Sequence, residues 1–274
     1  MRAFAVLLVL AGAARAAGPL AIVNPMIEQS EGGSPLPASY EHMPGEILFF
    51  SFQVQGYQVA VDKVKLRYKI DAFDPHGVRI METVERPIEA ELAPQDKEWK
   101  PKARQDVAIP PLAPSGTYRI AVEVTDELAK TTAKIEVPVL VRGRNVAPSD
   151  TLTIRNFGFY RSDEATEPLV KAAYRPGDAV WARFDITGYK LGPGNRIDVA
   201  YGIAVLNAEG KQLWAQPEAA VERSSSFYPK PYVPGSMSLD LQKNIRPGEY
   251  AIVVTVKDAV GNQSYETKQL FSVE

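Results

Sequence analysis

The chain has 274 residues, with 31 lysines and arginines, 33 aspartates and glutamates, two histidines and no cysteine. Its hydrophobic and charged fractions, 45% and 23%, are those of a folded globular protein and argue against disorder, collagen or coiled coil. The net charge of −2 argues against nucleic-acid binding, and the composition excludes disulfides, thiol catalysis, thiolate metal sites and a histidine-rich metal site.

Residues 1–16 have the pattern of a secretory signal peptide. Arg2 supplies the positive charge, an apolar run follows, and Ala14-Arg15-Ala16 provides the small residues of a cleavage site. The apolar run is shorter than the about 20 residues that cross a bilayer. We therefore expect an exported bacterial protein, periplasmic or extracellular, with no transmembrane segment in the mature chain. An uncleaved anchor or a buried helix is the alternative.

The rest of the chain repeats with an offset of 132 residues. The matching pairs include Leu20 and Leu152, Phe52 and Phe184, Gly56 and Gly188, Tyr118 and Tyr250, and Asp126 and Asp258. The repeat predicts two domains of one kind, copy one at residues 17–142 and copy two at 150–274. Residues 143–149 are the predicted linker.

Within each copy, apolar residues recur at every second position, as in a β-strand with one buried face. A clear example is the alternation with basic residues of Val64, Leu66, Tyr68 and Ile70. Turn pairs such as Pro44-Gly45 and Pro247-Gly248 separate these runs. About seven short strands per copy, without a helical period, predict an all-β fold of two antiparallel β-sandwich domains in tandem.

The last hairpin of each copy resembles that of bacterial immunoglobulin-like and fibronectin type III-like domains. Tyr118 follows Pro114-Ser115-Gly116, and Tyr250 follows Pro247-Gly248, each at the start of a strand. A tyrosine in this place resembles the tyrosine corner of those sandwiches, whose hydroxyl bonds to a backbone group upstream. The resemblance implies two tandem immunoglobulin-like sandwiches, and a fold of this kind does not imply a function.

Motifs for catalysis are missing from the sequence. It has no nucleophile elbow, phosphate-binding loop, dinucleotide-binding turn or zinc-binding histidine pair, and His42 and His76 lie beside turns. We therefore expect no enzymatic activity and no cofactor. Asp126 and Asp258 offer oxygen ligands for calcium at the end of a hairpin, and an aspartate that caps its own turn is the alternative we favour.

Aromatic side chains are the candidates for ligand or partner binding. Phe49 and Trp181 occupy matching positions on the strand face opposite the core, and Trp99, Tyr228 and Tyr232 lie in proline-containing loops. Exposed rings of this kind stack on sugars or anchor a protein partner. Burial of the rings within the fold is the alternative.

A strip of small residues in copy two is a further candidate surface. Ala200, Gly202 and Ala204 alternate with apolar residues, where copy one has polar or charged side chains. A flat apolar strip favours contact with copy one, another chain or a ligand. We expect a non-catalytic binding or structural protein whose loops or sheet face contact a protein partner. A carbohydrate-binding module for a cell-surface glycan and a periplasmic chaperone or assembly factor are the alternatives.

Overall fold

The computed structural model describes residues 18–93, 95, 96 and 98–274. The predicted signal peptide, residues 1–16, lies outside the described residues. Within them the chain forms strands and turns, with one short 3-10 turn at Pro193–Asn195 and no α-helix. The all-β prediction is confirmed. None of the helical structure in the described part of the chain is long and apolar enough to span a membrane.

Copy one contains eight strands. They are β1 (Ala21–Glu28), β2 (Glu41–His42), β3 (Ile47–Gln55), β4 (Lys63–Phe73), β5 (Val84–Glu91), β6 (Lys102–Ala108), β7 (Gly116–Asp126) and β8 (Thr131–Val141). A three-stranded antiparallel sheet has the order β1-β3-β6, and a five-stranded sheet has the order β2-β8-β7-β4-β5.

Copy two repeats this arrangement strand for strand. Its strands are β9 (Thr153–Tyr160), β10 (Ala173–Tyr174), β11 (Ala179–Thr187), β12 (Ile197–Asn207), β13 (Gln212–Ser224), β14 (Val233–Asp240), β15 (Gly248–Asp258) and β16 (Gln263–Val273). The orders are β9-β11-β14 and β10-β16-β15-β12-β13. The repeat in the sequence is therefore a repeat of topology.

The alternation in the sequence becomes a buried and an exposed face of each central strand. In β4 the apolar residues are buried and the four basic residues between them are exposed. Rings from the two sheets of each copy meet in the core. Phe52 of β3 lies edge-on to Tyr68 of β4 at 5.7 Å, and Phe184 of β11 lies edge-on to Tyr201 of β12 at 5.1 Å. Each copy thus has the two packed sheets of a β-sandwich.

The chain groups into two compact units. The first comprises residues 18–41, 47–108 and 117–140 of the described chain, and the second comprises residues 42–46, 109–116 and 141–274. These bounds differ from those expected from the repeat, because two turn segments of copy one belong to the second unit. The boundaries at 17–142 and 150–274, with the linker at 143–149, stay predictions.

Candidate interaction surface

The five-stranded sheet of copy two has an apolar outer face. Its position follows from β12, where the core residues Val199 to Val205 alternate with residues that point outward. Strand pairing extends the outward set across the sheet, since Ala204 lies opposite Ala215 and Val253, and Ala251 lies opposite Leu206 and Leu270. Within the outward set Ala251 is buried, and the charged Lys268 lies opposite Val253. We call the following residues the apolar face: Ala204, Leu206, Ala215, Ala251, Val253 and Leu270.

The matching face of copy one carries charges instead. Arg119 and Glu123 of β7 stand where Ala251 and Thr255 stand in β15. Arg119 forms an ion pair with Glu136, and the Lys134 ammonium lies 2.7 Å from the Glu123 carboxylate. Exposed ion pairs add little to stability. They keep this face hydrated, so the two copies share a core and differ in their outer surfaces.

A β-bulge covers part of the predicted small-residue strip. The pairing of β12 with β13 shifts register between Tyr201 and Ile203. A Cβ atom on Gly202 would lie 2.3 Å from the carbonyl oxygen of Pro217, so only glycine allows this close approach. Gly202 is buried under the bulge. The strip Ala200, Gly202 and Ala204 is therefore interrupted at Gly202. The apolar face includes Ala204, on the C-terminal side of that interruption along β12.

The predicted aromatic residues differ in exposure. Phe49 on β3, Trp181 on β11 and Tyr228 in the loop before β14 are all half-buried. Trp99 is 38% exposed, and its ring lies edge-on to Tyr57 with the centroids 6.5 Å apart. Trp99 is thus the most exposed of the predicted aromatic residues.

Tyr232 is only 5% exposed, so the expectation of an exposed ring there is wrong. Burial raises the pKa of its hydroxyl, and the guanidinium of Arg144 lies 5.8 Å from the ring centroid. Arg144 Nη2 also donates to Asp185 Oδ2 at 2.6 Å, and Asn156 Nδ2 donates to the same oxygen at 2.8 Å. Sequence reasoning missed this group, because nothing near Arg144 indicates that a buried carboxylate faces it.

The carboxylate of Asp126, the first calcium candidate, accepts hydrogen bonds from backbone N–H groups. Asp126 is fully buried, and its Oδ1 accepts the N–H groups of Leu128 at 2.8 Å and Ala129 at 3.0 Å. Its Oδ2 accepts the N–H of Gln58, 68 residues away, at 2.6 Å. The carboxylate thus caps its own turn and holds a distant loop.

The second calcium candidate, Asp258, repeats this arrangement. Its Oδ1 accepts the N–H of Val260 at 3.0 Å, and its Oδ2 accepts from the Lys190 N–H at 2.9 Å and the Gln263 amide at 3.2 Å. We call these two carboxylates, each with its turn and its distant loop, the aspartate latches. In the described ranges no group of three or more histidines, aspartates or glutamates is placed to hold a metal ion.

Buried tyrosines hold loops in both copies. The Tyr250 hydroxyl donates to the Arg246 carbonyl at 2.7 Å, which is the bond that a tyrosine corner makes, and the matching Tyr118 is buried. In copy two the Tyr189 hydroxyl donates to the Lys230 carbonyl at 2.6 Å, and burial raises the pKa of that hydroxyl. Copy one has a corresponding bond, which the Tyr57 hydroxyl makes.

The Tyr57 hydroxyl donates to the Trp99 carbonyl at 2.5 Å. Sequence reasoning missed the roles of Tyr57 and Tyr189. The signal for them was present, because Gly-Tyr stands at the end of the second long strand in both copies. The glycines Gly56 and Gly188 have φ of 74° and 76°, which turns the chain so that the tyrosine points into the core.

Comparison with solved structures gives a partial structural likeness. No protein-family model and no curated protein matches the chain. Among solved structures, the chain is similar to a family 123 glycoside hydrolase from Clostridium perfringens, studied for glycolipid glycan hydrolysis. The likeness has 12% identity and a TM-score of 0.32, and it covers 45% of this chain and 27% of that chain. The chain therefore spans about a quarter of the length of that enzyme.

This likeness corrects one prediction from the sequence. The prediction that the protein has no enzymatic activity is withdrawn, because it rests on missing motifs alone and part of the chain is similar to part of an enzyme. A missing motif is a poor reason to exclude catalysis, because active sites are grafted onto many folds. At this TM-score the likeness assigns no reaction, no substrate and no catalytic residue to the chain.

Proposed function

We propose that this protein is exported to the bacterial cell envelope and binds a protein partner through the apolar face of copy two. The observation that carries the proposal is that Arg119 and Asp71, which form ion pairs on this face of copy one, are replaced by Ala251 and Ala204 at the matching positions of copy two. We also propose that both copies are immunoglobulin-like or fibronectin type III-like sandwiches. The repeated strand order and the Tyr250 bond support this assignment.

The composition of the apolar face suits a flat protein surface. Ala204 is small and half-buried, so a partner can approach the sheet closely there, and Leu270 is 60% exposed at the margin of the face. Single exposed leucines are common on proteins, whereas a contiguous apolar patch marks an interaction site. Lys268 pairs with Val253 at the margin of the face, whereas the members of the face itself are uncharged, as in the buried core of an interface.

Charge introduced at the margin of the face tests the proposal. Leu270→Glu should reduce retention of the envelope partner at least about tenfold, because a buried carboxylate at an interface costs more than the contacts it replaces. Pro138→Glu, at the matching exposed position of copy one, is the control and should leave retention unchanged. The measurement is quantitative cross-linking of the partner from envelope extracts. Equal losses in both variants would contradict the proposal.

A glycan-binding role predicts a different result. The exposed ring of Trp99 would then carry retention on cell-surface glycans, and Trp99→Ala would remove it while Leu270→Glu would not. Export is tested separately by the N-terminus of the protein recovered from the periplasm, which should begin at Ala17. Recovery from the cytoplasm with an intact N-terminus would contradict export.

A further inference from the structure

We infer that copy two pairs strand to strand with copy two of a second chain, along the first five residues of β13. This inference uses the edge of the sheet, whereas the binding face proposed above uses its outer surface, and only Ala215 belongs to both. β13 is the last strand of its sheet and is 13 residues long. It pairs with β12 on one side, and no strand of the described chain pairs with its other side. An edge strand leaves one row of backbone N–H and C=O groups open to another strand.

The side chains of this segment are exposed and uncharged. Residues 212–216 read Gln-Leu-Trp-Ala-Gln and contain neither a charge nor a proline. Leu213 is 51% exposed and Trp214 is 41% exposed. Tryptophan and leucine on an edge favour pairing with a further strand, since cross-strand aromatic contacts stabilise a ladder.

The matching edge of copy one is protected against such pairing. β5 occupies the same place in its sheet and is only eight residues long. It carries Pro87, which has no N–H to donate, and charged side chains at Glu85, Arg86, Glu89 and Glu91. Charges and proline on an edge are the usual devices that prevent edge-to-edge association. Residues 212–216 belong to the longer edge and lack both, and their one irregularity is a register shift against β12 at Leu213.

A second copy fits this segment because the segment is self-complementary. A two-fold axis through Trp214 places it opposite Trp214 of the second copy, and Leu213 opposite Ala215 of the second copy. The whole uncharged run then faces itself in an antiparallel ladder. Pro217 and the bulge beyond it end the ladder on both sides. Such a contact uses one patch on both chains, so it closes as a dimer and does not continue as a fibre.

Opposite charges at Trp214 test both the pairing and its register. Sedimentation should show the wild-type protein associating to a dimer as its concentration rises. Trp214→Glu alone and Trp214→Lys alone should each be monomeric, because each places two like charges opposite one another. An equal mixture of the two variants should recover the dimer, since glutamate then faces lysine. Val221→Lys, on the same strand beyond the bulge, is the control and should dimerise like the wild type.

Several results would overturn the inference. They are a wild-type protein that stays monomeric up to its solubility limit, a dimer that Trp214→Glu leaves intact, and a mixture that stays monomeric. Far-UV circular dichroism checks the fold of each variant, and Leu213→Lys, at a more exposed position, should weaken the dimer without touching the core. Leu270→Glu should leave the dimer unchanged, so failure of this inference is distinguishable from failure of the proposed binding face.

Discussion

The two copies have the same strand order, but the outer faces of their five-stranded sheets differ in polarity. Copy one has Arg119 and Asp71 in ion pairs on this face, whereas copy two has Ala251 and Ala204 at the matching positions. The cores remained alike because close packing leaves little freedom in size and shape. The outer faces diverged because surface substitutions cost little stability. We therefore expect the outer faces of the five-stranded sheets to be where the two copies differ in function.

A second difference lies beside the first strand of each copy. In copy one the Asn24 amide donates to the Gln53 side-chain oxygen at 2.7 Å. In copy two Asn156 donates to the matching residue Asp185. Asp185 also accepts a hydrogen bond from Arg144, which supplies the opposite charge. A neutral amide needs no counter-ion, whereas a buried carboxylate does. The charge at Asp185 therefore attaches the segment that contains Arg144 to copy two.

The largest expected effect tests whether the aspartate latches are equivalent. Asp126→Ala and Asp258→Ala should each lower the free energy of unfolding by about 3–5 kcal/mol, because each leaves buried N–H donors without an acceptor. Denaturant unfolding of both variants measures this. Glu266→Ala, at an exposed position, is the control. A loss below about 1 kcal/mol in one copy alone would show that its latch has no structural role.

A smaller effect is expected at the charge that only copy two contains. Arg144→Ala should cost about 1–2 kcal/mol, reduced from the full value for a buried pair because the arginine side chain is half-exposed. Asp185→Gln, which introduces the residue of copy one, should recover most of that loss when combined with Arg144→Ala. A double-mutant cycle measures the coupling. Strictly additive losses would contradict the pairing of these two residues.

The smallest effect is a difference in acid sensitivity. Glu28 is buried and accepts from Lys102 Nζ at 2.6 Å, and this bond holds the pKa of its carboxyl below its ordinary value. Its stabilisation is present at neutral pH and is lost in acid, as the pH falls through the lowered pKa. Copy two has Tyr160 at the matching position and so lacks this carboxylate.

Glu28→Gln should therefore flatten the acid dependence of unfolding in copy one. The measurement is the unfolding midpoint followed from neutral pH down into the acid range, because the carboxylate is charged at neutral pH and becomes protonated as the pH falls through its lowered pKa. Tyr160→Phe in copy two is the matched control, and it should leave the acid dependence unchanged. An unaltered slope in Glu28→Gln would mean that other carboxylates control the acid response.

Some of the site was readable from the sequence and some was not. Turn chemistry around Asp126 and Asp258 is local, so the cap was foreseen, whereas the long bond from Asp126 to Gln58 was not. The alternation predicted that Ala204 points outward. It did not predict the bulge at Pro217 that covers Gly202, because a register shift depends on the partner strand.

The sequence alone determined the strands, their burial faces and the twofold repeat. These features depend on a period of two and on proline–glycine turns, which act over a few residues. Only the tertiary structure decided that Tyr232 is buried, that Arg144 reaches Asp185, and that β13 is an open edge. Each of these depends on which strands become neighbours, and neighbours far apart in the chain are chosen by packing of the whole sandwich.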